Sequence, residues 1–80
     1  MSAFEEIDVH NMTRQQAIAA IDARLRHCRG DVYRLRVIHG FHGGTALRDA
    51  VRKHYAAHDK VLRIELGLNQ GQTDLILREL

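Results

Sequence analysis

Asp8 and His10 stand two residues apart, so an extended backbone puts both side chains on one face. A carboxylate beside an imidazole is a proton-handling pair. The acid orients the ring, and the ring takes a proton from water or a ribose 2′-hydroxyl and returns one to a leaving oxygen. The bland alternative is an edge histidine hydrogen-bonded to its neighbour. A second histidine, His39, opens the stretch His39-Gly40-Phe41-His42-Gly43-Gly44-Thr45, which runs into Ala46-Leu47-Arg48. Glycines there let backbone N–H groups face an anion, and the positive end of the following helix adds to their pull. Asp8, His10 and His39 are therefore the candidate catalytic residues. Gly40, His42, Gly43, Gly44, Thr45, Arg48 and Arg52 are the candidate phosphate-binding residues.

Each signal has a plainer reading. The glycine stretch lacks the Gly-x-x-x-x-Gly-Lys of a P-loop, and a tight strand-to-helix turn needs glycine for geometry alone. Arg48 tips the balance toward an anion, because a cation in the first turn otherwise opposes the helix dipole. Strand alternation turns His39 toward the helix layer, where it would cap a carbonyl instead. Phe41 either stacks on a base or leans on the helix. His54 and His58, one helical turn apart, read as a solvated helix end rather than a metal pair. The only cofactor these residues suggest is a divalent cation such as magnesium, held by Asp8, His10 and His39 should they converge. Arg34, Arg36, Arg63 and Arg78 form either a basic platform or an ordinary wet sheet face.

The elements that must position these groups are plain in the apolar pattern. Glu6 to His10 alternates as a half-buried strand with Ile7 and Val9 inward. Thr13 followed by Gln16 is a capping box opening a helix whose apolar stripe is Ala17, Ile18, Ile21, Leu25 and Cys28, with Arg14, Arg24 and Arg26 toward solvent and Gly30 as its stop. Val32 to Ile38 is a second strand. Thr45 then caps a helix from Ala46 to about Ala57, with Leu47, Ala50, Val51 and Tyr55 buried. Lys60 to Leu66 is a third strand, with Leu62, Ile64 and Leu66 inward. A loop from Gly67 to Gln72 leads to a last strand from Thr73 to Leu80. The order β-α-β-α-β-β, with right-handed crossovers, predicts a two-layer α/β sandwich: a largely parallel four-stranded sheet with two helices on one face. Ligands of such sheets bind beyond the carboxyl ends of the strands, where His10 and His39 both fall.

The whole chain sets the bounds. Eighty residues make one domain, 1–80, with a net charge of +2 and a pI near 9.1; that balance permits nucleic-acid binding without demanding it. No run approaches the roughly 20 apolar residues of a membrane span, and the N-terminus has no signal-peptide pattern. One cysteine, Cys28, forms no internal disulfide and fits the cytoplasm. On the apolar stripe it reads as a core residue, not a nucleophile.

Ile7-Asp8-Val9-His10-Asn11 resembles the Leu-Asp-Leu-His-Gly signature of the Smr (small MutS-related) domain family. His39 to Arg48 resembles that family's His-Gly-x-Gly-x-Gly loop leading into Leu-Arg, here one residue longer through His42 and Gly43. Asn11 stands in the signature's last glycine position, and Asn tolerates left-handed backbone. The resemblance implies a fold like the C-terminal domain of translation initiation factor three. It also implies nucleic-acid binding, with nicking of DNA or cleavage of RNA on ribosomes in some members. Asp8, His10, His39, Gly40 and Gly44 match its motifs. The expected function is that of a nucleic-acid-binding Smr domain with endonuclease activity. The alternative is a non-catalytic module, bound to DNA, RNA or the ribosome through the same phosphate site.

Overall fold

Thr13 starts the first helix as its sequence dictates. Its hydroxyl accepts from the Gln16 N–H (3.1 Å) and the Gln16 side chain accepts from the Thr13 N–H (3.0 Å), a complete capping box. The structure, a computed structural model, describes residues 4–28, 30–40, 45–66 and 70–79. Its elements are β1 (Phe4–Asp8), α1 (Arg14–His27), β2 (Arg34–Ile38), α2 (Ala46–Ala56), β3 (Arg63–Glu65) and β4 (Gln72–Ile76). Element order is the expected β-α-β-α-β-β, although the strands are shorter than their apolar runs.

The sheet corrects one expectation. Its strand order is β1-β2-β4-β3, and only β1 and β2 pair in parallel; β2–β4 and β3–β4 are antiparallel. It is a mixed sheet, not a largely parallel one. The physical reason lies in the third and fourth strands. A short loop between adjacent strands forces antiparallel pairing. β4 is buried along nearly its whole length, so it belongs in the sheet centre, and the short, charged β3 takes the edge. Leu62 and Leu66, expected inward, flank this edge strand and are exposed.

The core lies between the sheet and the helices. Ala17, Ile21 and Leu25 of α1 meet Val51 and Tyr55 of α2 over Leu35, Val37 and Leu75. Tyr55, fully buried, ties the helices together: its hydroxyl donates to Asp22 Oδ1 at 2.7 Å and lies 3.1 Å from the Ile18 carbonyl. Cys28 is half-buried at the end of α1, and burial pushes its thiol up, with Glu5 adding to the effect. Arg24 is not purely a solvent residue, since its Nη1 donates to the Glu6 carbonyl at 3.1 Å. No helix among the described residues is long and apolar enough to cross a membrane.

Candidate functional site

The register Ile7↔Val37 and Asp8↔Ile38 brings the ends of β1 and β2 to one edge. Val9 N–H extends the pairing to the Ile38 carbonyl at 2.8 Å. Asn11 then reverses the chain with φ 71°, the left-handed conformation that Asn tolerates best after Gly. Just before that turn, His10 lies against Asp8. His10 Nδ1 lies 2.5 Å from Asp8 Oδ1, and the His10 backbone N–H donates to the same oxygen at 3.0 Å. Asp8 is accordingly held below the usual carboxylate range, first by the ring hydrogen bond and then by the backbone one. A charged carboxylate keeps the proton on Nδ1, which leaves Nε2 as the acceptor of this ring. The side chain of His10 is 55% exposed.

His39 goes the other way. It is 4% exposed, turned into the helix layer by strand alternation. Its Nδ1 donates to the Gly40 carbonyl at 2.9 Å, and its Nε2 lies 2.9 Å from Thr73 Oγ1. Arg52 Nε donates to that same hydroxyl at 3.0 Å. The hydrogens run in one direction, from Arg52 to Thr73 to His39 Nε2, with Nδ1–H closing on Gly40. Burial holds the His39 imidazole below the usual histidine range, and Arg52 and Arg48 push the same way against the Gly40 bond. The unfolded chain takes up this proton near the ordinary value of 6.5, the folded chain only further down. Stability from this residue is thus present above that value and lost as pH falls through the folded pKa. Urea midpoints are expected to drop between about pH 7.5 and pH 5. The drop should shrink in His39→Gln; an unchanged drop would show that other groups cause it.

Gly40 joins the two histidines. Its φ is +72°, and a Cβ built there would meet His10 Cβ at 3.5 Å, an ordinary contact. His39 N–H and Gly40 N–H both donate to the Gly71 carbonyl at 2.9 Å, pinning this turn to the start of β4. Gly40→Ala is therefore expected to cost about 1–2 kcal/mol through backbone strain, not crowding. A urea titration showing no loss would contradict the left-handed geometry.

The remaining expected residues divide. His42, Gly43 and Gly44, with Phe41, lie outside the described residues. Thr45 occupies the cap position of α2, but no side-chain cap bond forms there; its hydroxyl donates to Asp49 Oδ2 at 3.1 Å. Arg48 Nε donates to Asp49 Oδ1, also at 3.1 Å, an exposed pair of the weakly held kind. Arg52 faces inward to Thr73. Asp8, His10, His39 and Gly40 thus gather at one edge, but the two imidazoles do not share a volume open to solvent. Among the described residues no three His, Cys, Asp or Glu side chains converge on a metal position.

Two residues escape sequence reasoning. Thr73 joins His39 to Arg52. Asp74, 2% exposed, takes Arg36 in a two-pronged pair (2.9 and 3.0 Å) and Arg34 at 2.5 Å on the open face of the sheet. Glu65 bonds both Arg34 and Arg63, and Glu79 also pairs with Arg63. Of the arginines expected to alternate outward, Arg34, Arg36 and Arg63 therefore form a neutralised network, with Arg36 also stacked on Phe4 at 4.7 Å; Arg78 is not part of it. Thr73 and Asp74 could have been flagged as polar residues in an otherwise apolar strand, but their partners depend on strand order.

A mixed α/β sandwich carrying an Asp-x-His pair at the end of β1 and a left-handed glycine at the end of the adjacent β2 defines the class. The Smr domain family model matches residues 7–74. The chain belongs to the Smr domain family, a family of nucleic-acid-binding modules. Its structure is similar to that of the Smr domain of Thermus thermophilus MutS2, with a TM-score of 0.84 and 28% identity, covering 94% of this chain and 99% of that one. No curated protein matches the chain.

Proposed function

We propose that this Smr domain grips a nucleic-acid backbone at the β1–β2 edge and cleaves a phosphodiester bond there, with His10 moving the proton. The observation that carries the proposal is the exposed His10 ring, oriented through Nδ1 by Asp8 at 2.5 Å. Nε2 removes the proton from the attacking oxygen, water for DNA or the 2′-hydroxyl for RNA. The new P–O bond forms as the P–O bond to the leaving group breaks, and the proton returns to the departing oxygen. His39 is a positioning residue in this scheme: neutral and buried, it holds the Gly40 turn that opens the phosphate loop. In this scheme the phosphate contacts fall to His42, Gly43, Gly44 and Thr45, because the Gly40 N–H already donates to the Gly71 carbonyl, and Arg48 exchanges its exposed partner Asp49 for the phosphate. The lone cysteine suits a reducing compartment, so the proposed place of action is the cytoplasm, on free or ribosome-borne nucleic acid.

A non-catalytic binding module is the second reading. It is favoured by the burial of His39, which leaves His10 as the lone exposed imidazole of the pair. Incubation of the purified chain with matched branched DNA and structured RNA, with and without magnesium, separates the two. Discrete cleavage products support the first. Tight, salt-sensitive binding with no product supports the second. Neither binding nor cleavage overturns both.

A further inference from the structure

We infer that the groove between α1 and α2 is a second nucleic-acid contact, which holds the strand as it leaves the β1–β2 edge; the inference rests on the nucleic-acid reading above. The groove is lined by Arg14, Ile18, Ala50, Lys53 and His54 and encloses about 370 Å³. Three basic side chains surround it and no carboxylate lines it. Its charge is free in a way that the sheet face is not. Arg34, Arg36 and Arg63 are all held by Asp74, Glu65 or Glu79. Among the described residues, by contrast, neither Arg14 nor Lys53 has an ion-pair partner. The acids on the same helices are already engaged, Asp22 by Tyr55 and Asp49 by Thr45 and Arg48. The sheet-face arginines Arg34, Arg36 and Arg63 therefore contribute little attraction for phosphate, and the helix side supplies it.

Position and shape agree with charge. Arg14 is the first residue of α1, a helix with no acidic residue in its first turn. A cation there opposes the helix dipole, which becomes favourable when an anion joins both. Arg14 also follows His10 by only four residues, which ties the start of α1 to the end of β1. Ile18 lies one turn below Arg14, and Ala50 one turn above His54, giving an apolar floor between basic walls. A polynucleotide strand matches this surface, with its sugars over Ile18 and Ala50 and its phosphates toward Arg14, Lys53 and His54.

The test is binding of a hairpin oligonucleotide across a salt series by the wild type, by Arg14→Gln/Lys53→Gln, and by Ala50→Glu, which puts a carboxylate into the space. The double variant is expected to bind roughly tenfold more weakly at low salt, and its log–log salt slope to shrink by about 2. Ala50→Glu should also weaken binding, with circular dichroism confirming that all three proteins fold. Variants that bind like the wild type would overturn the groove while leaving the edge site standing. A wild type that binds no oligonucleotide would remove the nucleic-acid reading and this inference together. Polyglutamate bound as tightly as the oligonucleotide would overturn the choice of occupant.

Discussion

His10→Ala is expected to reduce strand cleavage by about 10²–10⁴-fold, the usual contribution of a positioned general base, while nucleic-acid affinity stays near that of the wild type. The split follows from the geometry. Affinity in this scheme comes from loop amides and cations that do not include the imidazole. Proton transfer depends on one ring nitrogen, Nε2, because Nδ1 is committed to Asp8. Asp8→Asn should also reduce cleavage strongly, since the amide neither fixes the proton on Nδ1 nor stabilises the imidazolium formed as the proton arrives. Gel-based cleavage at saturating enzyme, with affinity measured separately, checks both variants. Cleavage by His10→Ala at the wild-type rate would end the proposed role, and equal loss of binding and cleavage would make His10 a contact residue instead.

Asp74→Ala should destabilise the domain by about 3 kcal/mol, the low end for removing one partner from a buried ion pair. Burial by itself would raise the Asp74 carboxyl, but the bonds from Arg36 and Arg34 outweigh that and hold it below the usual range. Its contribution is thus complete above the ordinary value of 3.8 and is lost as pH falls through the lower folded value. Without the carboxylate, the two guanidiniums of β2 are left side by side on one face of the sheet. They are 24% and 28% exposed, so they regain some water, which is why the low end applies. Urea unfolding near neutral pH provides the measurement, and a loss below about 1 kcal/mol would place Asp74 among ordinary surface acids. The variant bears on binding as well. It frees positive charge on the open sheet face, yet a strand held on the helix side should gain little affinity from it.

Strand and helix periods settle much of this protein from local sequence alone. Alternation in Glu6 to His10 puts Asp8 and His10 on a common face, and the structure joins them. Thr13 and Gln16 cap α1 as written, and Asn11 takes the left-handed turn that its side chain tolerates. The Smr motifs, read in order, identify the family. Each of these depends on neighbours a few residues away, where backbone geometry decides which side chains meet.

Strand order was decided only in three dimensions. Inserting β4 between β2 and β3 set Thr73 against His39, 34 residues away, and Asp74 against Arg34, 40 residues away. Those contacts, together with the Glu65 and Glu79 pairs of Arg63, changed the reading of five charged or titratable groups. His39 became a buried support for Gly40, Arg52 its remote partner, and Arg34, Arg36 and Arg63 a neutralised surface. Local period says which face a side chain takes but not which strand lies alongside. That choice belongs to the whole sheet, where the strand buried along most of its length takes the centre and the short charged one is left at the rim.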